Sequence, residues 1–209
     1  MHNKKLCFLS IMIIMLAFPT NDFAQSTTPS RIDQRKELLT KAQDKLIYPF
    51  LKGNIFSGVL PVENPTDLAD YGQTYKLLFD FADGNAEDLK KGNINPGIQE
   101  MIRILNLHRA AGVPESRMDI AVIIHGPGTS TFLNNEEFKK MFGIDNPNLD
   151  LLNQMQQKGV KFSVCGQTLG LRGWELEKLV AGVRKAYSAR TVLSTYQSKG
   201  FVVFPIEID

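Results

Sequence analysis

From residue 75 onward, short apolar runs alternate with helical patterns, and this alternation restricts the fold more than any other feature of the chain. The runs are almost continuously apolar, as expected of strands that are covered on both faces of a sheet. Strands that alternate with helices favour a parallel sheet with helices on both faces. We therefore predict a single α/β domain whose mostly parallel sheet has about five strands. Four of these strands are predicted at residues 75–82, 118–124, 160–165 and 201–206.

The helices between the runs are predicted from capping residues and from apolar spacing. Asn95 followed by Pro96 is typical of a helix start, with asparagine as the cap and proline in the first turn. The residues that follow repeat at i, i+3, i+4 and i+7, which makes one buried stripe. Its members are Ile98, Met101, Ile102 and Leu105.

Further helices are predicted after Asn134 or Asn135, after Asn148, and after Ser188. Residues 166–170 are predicted to form a glycine-rich turn, and a helix is predicted over residues 174–181. Residues 183–187 fit either a helix or a short strand.

The N-terminal part of the chain has two different characters. Lys4 and Lys5 precede an apolar run over residues 6–18, which is typical of a secretory signal peptide covering residues 1–24. That run is shorter than the roughly 20 residues that a membrane-spanning helix needs. We therefore expect a periplasmic or secreted protein with a cleaved signal. Residues 25–74 are interrupted by proline and glycine and are predicted to form an irregular extension and arm, followed by the α/β domain at 75–209.

Charge and motifs exclude several classes of function. Removing Lys4, Lys5 and Asp22 with the signal lowers the 24 basic and 22 acidic residues to 22 and 21. Such a balance provides no electrostatic attraction to nucleic acid or to an anionic membrane. The chain contains no dinucleotide-binding glycine motif, no Walker loop and no nucleophile-elbow motif, so no cofactor is expected.

Cys165 is the first candidate site residue, because it would be the only thiol once the signal, with Cys7, is removed. It ends a predicted strand, and reactive groups in parallel sheets collect beyond the carboxyl ends of the strands. Backbone N–H groups of the turn and the start of the next helix can lower the pKa of such a thiol. The alternative is that Cys165 is simply a small buried apolar residue.

His125 ends the second predicted strand and would approach Cys165 if the two strands were neighbours, about 4.8 Å apart. The alternative is that His125 only hydrogen-bonds a nearby loop. A metal site is disfavoured, because only Asp80 would add a further ligand. We predict Cys165 and His125 as catalytic residues. The predicted binding residues are Gly126, Gly166, Gln167, Thr168 and Arg172.

Strand parity leaves the accessibility of the thiol open. Alternation places Lys161, Ser163 and Cys165 on one face of the third strand. The thiol would be accessible to solvent if that face were the more solvent-exposed one, and it would be buried if helices covered both faces of the sheet.

The segment Gly159-Val-Lys-Phe-Ser-Val-Cys165 and the later Leu171-Arg172-Gly173 resemble the DsrE/DsrF-like family, which includes the TusD sulfur-relay subunits and the YchN-type proteins. The first strand, the helix after Asn95, the helix at Ser188-Ala189 and the C-terminal strand extend the resemblance over residues 75–209. It implies a DsrEFH-like fold, often assembled as homotrimers or hexamers. It also implies a persulfide-carrying cysteine at Cys165, and the His125-Gly126 turn resembles a secreted bacterial subgroup.

Two hypotheses for function follow. In the first, Cys165 handles sulfur as a persulfide or mixed disulfide with a donor or acceptor protein, while His125 and Arg172 tune the thiolate. In the second, the protein is a non-catalytic oligomeric module that binds a small ligand or partner in the same strand-end pocket.

Overall fold

The sheet consists of five parallel strands in the order β4-β3-β2-β1-β5, in a computed structural model that describes residues 30–84 and 86–206. The prediction of a single α/β domain with a mostly parallel, five-stranded sheet is confirmed. The predicted signal at residues 1–24 lies outside the described residues. The strands are β1 (Tyr75–Phe81), β2 (Met118–Ile124), β3 (Lys161–Cys165), β4 (Arg184–Ala186) and β5 (Val202–Ile206).

Seven α-helices lie in the described part of the chain, and five short 3-10 helices accompany them. The α-helices are α1 (Arg31–Lys41), α2 (Ala86–Lys90), α3 (Pro96–Ala110), α4 (Asn135–Phe142), α5 (Leu149–Gln157), α6 (Gly166–Arg172) and α7 (Ala189–Ser198). The 3-10 helices are Gln43–Lys45, Ile55–Ser57, Glu115–Arg117, Gly126–Phe132 and Leu176–Lys178. The predicted cap at Asn95 is confirmed, since its side chain accepts hydrogen bonds from the N–H groups of Gly97 and Ile98. The helix start at Asn134 is confirmed in the same way.

The two faces of the sheet are covered unequally. On one face, side chains of α3, α4, α5 and α6 join those of the strands in the main apolar core. The ring of Phe132 lies edge-to-face with the rings of Phe81 and Phe162 in that core, and its centroid is 5.2 Å from each of theirs. On the other face, α7 packs over a smaller cluster that includes Leu78, Ile123 and Cys165. Because the single helix α7 covers this face, whereas four helices contribute to the core on the other, the cover over this second cluster is thinner.

The stretch after β3 differs from the sequence prediction. The helix begins at Gly166, where we expected a turn, and it ends at Gly173, whose φ of +62° is left-handed. The prediction of a helix over residues 174–181 is wrong. The chain there carries only the short 3-10 helix Leu176–Lys178 before β4. The reason is tertiary pairing, because Leu179 bridges Leu133 and the N–H of Val180 donates to the carbonyl of Phe132.

The arm before β1 follows an irregular path and is held by α3. The fully buried Asn106 side chain accepts hydrogen bonds from the N–H groups of Phe50 (2.7 Å) and Leu51 (3.1 Å). Its amide nitrogen donates to the carbonyl groups of Leu51 (2.9 Å) and Ser57 (2.8 Å). One side chain therefore satisfies four backbone groups that a regular strand or helix would otherwise pair. The boundary between arm and domain at residue 74 stays a prediction.

Replacing Asn106 by alanine should lower the free energy of unfolding by about 3 kcal/mol, because four backbone groups of the arm lose their partner. Urea denaturation measures this loss, and limited proteolysis should show earlier cleavage within residues 42–60. Asn153→Ala on the exposed side of α5 is the matched control. Equal losses in both variants would contradict the role assigned to Asn106.

Candidate functional site

Three chemically active side chains lie at the carboxyl ends of β1, β2 and β3. In the parallel register, Asp80 pairs with Ile123, and Ile124 pairs with Val164. His125 directly follows β2, and Cys165 is the last residue of β3. Because Ile124 pairs with Val164, the residues that come next on the two strands, His125 and Cys165, are neighbours. Strand alternation places Asp80, His125 and Cys165 on the face covered by α7.

Asp80 and His125 form a direct pair. The Nε2–H of His125 donates to Oδ1 of Asp80 over 2.8 Å, and both side chains are mostly buried. This hydrogen bond raises the pKa of His125 above its ordinary value, and it outweighs burial, which acts in the opposite direction. The charges of Asp80 and Cys165 also raise the pKa, whereas the charge of Arg190 lowers it. The imidazole is thus held in a setting that favours its protonated form.

The Cys165 thiol is buried, with 6 % of the residue exposed. Burial is the largest single influence and raises the pKa of the thiol. Hydrogen bonds from the amide and hydroxyl of Thr168 and from the amides of Ala189 and Gln167 lower it, and their combined effect places the pKa below its ordinary value. These donors lie in the first turns of α6 and α7, so two helix starts converge on one sulfur.

Thr168 also links the thiol to the loop after β2. Its Oγ1 accepts a hydrogen bond from the N–H of Gly126 over 3.1 Å. Arg172 fixes the same loop, since it donates to the carbonyl of Gly126 (3.2 Å) and to Oγ of Ser130 (3.3 Å). Its guanidinium lies over the ring of Trp174, 4.7 Å from the centroid. The structure therefore places Arg172 on the Gly126 loop, and the donors to the sulfur are other groups.

Gly166 allows α6 to lie against β4. A Cβ at this position would be 2.6 Å from the carbonyl oxygen of Ala186, which is too close for any side chain. The neighbouring Gln167 is exposed, and its Nε2 donates to the carbonyl of Tyr187 over 3.4 Å. Both residues tie the start of α6 to the segment that leads into α7.

Within 30–84 and 86–206, no three His, Cys, Asp or Glu side chains are arranged to hold a metal ion. Across the same ranges, no helix combines the length and apolar character required to cross a membrane.

Comparison with known proteins identifies the family. The model of the DsrE/DsrF-like family matches residues 76–205, which include all five strands except for Tyr75 at the start of β1 and Ile206 at the end of β5. The chain belongs to the DsrE/DsrF-like family. The predicted family membership is confirmed, whereas assignment to a secreted subgroup stays a prediction.

The solved structures that are similar to this chain include MTH1491 from Methanobacterium thermoautotrophicum, a protein described as being of unknown function. It is 18 % identical, with a TM-score of 0.47, and the match covers 63 % of this chain and 98 % of that chain. Comparison with curated proteins finds no match.

Sequence reasoning missed two groups of this DsrE-like site. Asp80 was considered only as a metal ligand, although it is the one acidic residue in the apolar run at 75–82. A lone carboxylate near a strand end, one strand away from a histidine, is the signal that would have paired it with His125. The Ala189 amide has no sequence signal, because only the fold brings the start of α7 to the thiol.

The Asp80–His125 pair should make stability depend on pH. Folding raises the pKa of His125. The pair therefore stabilises the folded state fully below the unfolded pKa of about 6.5, and this contribution is lost as pH rises through the folded pKa. The difference in unfolding free energy between the wild-type protein and Asp80→Asn should be largest at mildly acidic pH and shrink toward alkaline pH.

Chemical denaturation across this pH range measures the difference. Both proteins should carry Cys165→Ser, because the lowered pKa of the thiol adds a dependence of the opposite sign. Asp119→Asn is the matched control, since Asp119 pairs with Lys161 on the same face of the sheet (2.7 Å), at the far end of the strands. A difference for Asp80→Asn that did not vary with pH would rule out this assignment.

Thr168→Val should slow the reaction of Cys165 with iodoacetamide near neutral pH by about tenfold, because the thiolate loses one charge-assisted hydrogen bond. The full chain carrying Cys7→Ser has Cys165 as its only thiol, so the alkylation rate can be followed by mass spectrometry. Thr195→Val on the exposed side of α7 should leave the rate unchanged. An unaltered rate in Thr168→Val would show that its hydroxyl does not act on the sulfur.

Proposed function

We propose that this DsrE-like protein is exported and carries sulfur on Cys165 as a persulfide or mixed disulfide. The observation that carries the proposal is the convergence of hydrogen-bond donors from α6 and α7 on the thiol, which lowers its pKa. The thiolate is the nucleophilic form of cysteine. A purely structural buried cysteine would have its pKa raised by its apolar surroundings, without donors that favour the charged form.

The proposed chemistry balances without an outside oxidant. The Cys165 thiolate attacks a sulfane sulfur of a persulfide or polysulfide donor, a new S–S bond forms, and the donor's S–S bond breaks. The electron pair of the broken bond leaves with the shortened donor as a thiolate or sulfide. Transfer to an acceptor reverses these roles, since the acceptor thiolate attacks the outer sulfur and Cys165 leaves as a thiolate.

The residues around the sulfur have distinct roles in this proposal. Gln167 and Thr168 donate to the thiolate, and His125 supplies a nearby positive charge. Gly166 permits the close approach of α6 to β4, and Arg172 holds the Gly126 loop that Thr168 contacts.

Burial of the sulfur suits an exported protein. An oxidising compartment exposes a lone thiolate to oxidation and to mixed-disulfide formation. Since only 6 % of Cys165 is exposed, large disulfides are hindered from reaching the sulfur, whereas a small inorganic polysulfide is hindered less. We infer that the first sulfur donor is a small molecule of this kind.

A homo-oligomer, such as the trimer or hexamer implied by family resemblance, is part of the proposal. Leu171 and Tyr187 support it, because they are apolar and 91 % and 80 % exposed, respectively. Tyr187 accepts the hydrogen bond from Gln167 just before α7, and Leu171 follows Gln167 by four residues on α6. Exposed apolar side chains next to a site are suited to contact with another protein chain.

The second candidate function is a non-catalytic binding module, and the burial of Cys165 is the observation that favours it. In that case the folded protein would protect the thiol from iodoacetamide, and a ligand would raise the melting temperature.

Treatment of the full chain carrying Cys7→Ser with inorganic polysulfide should add one or more sulfur atoms to Cys165, as seen by mass spectrometry of the intact protein and its peptides. Dithiothreitol should remove the added sulfur, because a persulfide is reducible. The reaction should proceed in folded protein at neutral pH, where an ordinary thiol is only a few per cent thiolate.

Cys165→Ser is the control for the site, and Ser163→Ala, two residues earlier on the same face, is the control for local disturbance. Sulfur addition should vanish in the first variant and persist in the second. An unmodified Cys165 in folded protein, together with alkylation only after unfolding, would contradict the sulfur-carrier proposal and support the binding module.

A further inference from the structure

We propose that Asp80 is a positioning residue that acts through His125 to set the reactivity of the Cys165 thiol. This inference deepens the proposed function and rests on it only for the identity of the reaction that the thiol performs. Nothing in the family match or in the structural neighbour assigns a role to Asp80.

The three side chains form a row across three neighbouring strands. Asp80 lies on β1, His125 follows β2 and Cys165 ends β3, all on the face covered by α7. The contact between the first two is a 2.8 Å hydrogen bond. Since Ile124 pairs with Val164, His125 and Cys165 occupy the next positions along neighbouring strands, which lie about 4.8 Å apart in a sheet. The order along the sheet is therefore carboxylate, imidazole and thiol.

Backbone pairing holds Asp80 firmly in this row. Its strand β1 lies between β2 and β5, and Asp80 pairs with Ile123 on one side and with Pro205 on the other. In the described part of the chain, His125 is the one ion-pair partner that Asp80 has. Burying a carboxylate in a largely apolar strand costs free energy unless the carboxylate has a hydrogen-bond or ion-pair partner. For Asp80 that partner is the imidazole of His125.

The hydrogen bond also determines the tautomer of His125. An ionised carboxylate can only accept, so Nε2 of His125 carries the proton that Asp80 binds. In the neutral ring, Nδ1 is then the nitrogen with a free electron pair. A carboxylate that fixes one nitrogen of a histidine in this way orients the ring and makes the other nitrogen a better proton acceptor.

The step assigned to the row is a proton transfer. The Cys165 thiol loses its proton and His125 gains one at Nδ1, which leaves a thiolate and an imidazolium. Asp80 stabilises the imidazolium, and the donors of α6 and α7 stabilise the thiolate. No electron leaves or enters the row in this step. When the sulfur later departs from Cys165 to an acceptor, the same proton can return.

Charged groups on β1, β3 and α7 affect the pKa of His125. Asp80 acts from β1 and Cys165 from β3, and both favour the imidazolium, whereas Arg190 of α7 opposes it. Arg172 of α6 reaches the same loop but is hydrogen-bonded to Gly126 and Ser130. Since the net effect favours the imidazolium, Asp80 outweighs Arg190. Loss of the Asp80 charge and hydrogen bond would remove the largest influence that favours the imidazolium, and the thiolate would lose its counter-ion.

The test is a set of pH profiles for alkylation of Cys165 by iodoacetamide in the full chain carrying Cys7→Ser. Asp80→Asn should move the midpoint of the profile toward that of an ordinary thiol. It should also slow the reaction at mildly acidic pH by about tenfold, which corresponds to ~1.4 kcal/mol in the thiol ionisation. At high pH, where every thiol is ionised, the rates should converge. Ultraviolet absorbance of the thiolate provides a second profile without a reagent.

A variant cycle separates action through His125 from direct action. His125→Gln and the double variant with Asp80→Asn should have the same profile, because Asp80 has no route to the thiol once the imidazole is gone. Asp119→Asn removes the same charge from the same face and should leave the profile at its wild-type position. Agreement of the high-pH rates shows that each variant has kept its fold around the thiol.

Two results would overturn the inference. One is a wild-type profile in Asp80→Asn. The other is a double variant slower than His125→Gln by the full effect of Asp80→Asn, which would mean that Asp80 acts independently.

Polysulfide treatment distinguishes the role of Asp80 from the sulfur-carrier function. Persulfide formation without any effect of Asp80→Asn defeats only the role of Asp80, whereas a shifted alkylation profile without persulfide defeats only the sulfur-carrier function.

Discussion

The parallel register of β1, β2 and β3 is the constraint on which the site depends. Parallel strands all end at the same edge of a sheet, so three residues from distant parts of the sequence meet without any local motif. A shift of one residue in either pairing would turn Asp80 or Cys165 to the opposite face. The ring contacts of Phe81 and Phe162 with Phe132 oppose such a shift, since Phe81 or Phe162 would have to leave the main core.

The sequence was sufficient to predict those parts of the fold that depend on local pattern. The apolar runs located the four long strands to within one residue, because β1, β2 and β3 are mostly buried and all four runs are bounded by turns. The three-residue strand β4 is too short and too exposed to carry such a pattern. The helix α6 escaped prediction because Gly166 and Gly170 lower helix propensity, and contacts with β3 and β4 compensate for that loss.

The positions of the main candidate site residues could be predicted from the sequence, but their hydrogen-bond partners and their burial could not. Cys165 and His125 could be located because each follows an apolar run, and strand ends are where parallel sheets collect functional groups. The hydrogen bond between Asp80 and His125 required knowledge of strand order, which the sequence does not contain. The same holds for the burial of the thiol, because it depends on where α7 lies. Arg172 contacts the Gly126 loop for a similar reason, since the length of α6 determines how far its side chain lies from the sulfur.

The attachment of the arm through Asn106 has a consequence for the order of folding. Phe50 and Leu51 precede their partner by 56 and 55 residues. A growing chain emerges from its N-terminus, so the arm is exposed well before α3 has been synthesised. The arm must therefore remain without its hydrogen bonds to Asn106 while β1 and the first part of α3 emerge, and it packs on α3 only after Asn106 has been synthesised. Its apolar residues Phe50 and Leu51 are then natural points of contact for a chaperone during that interval.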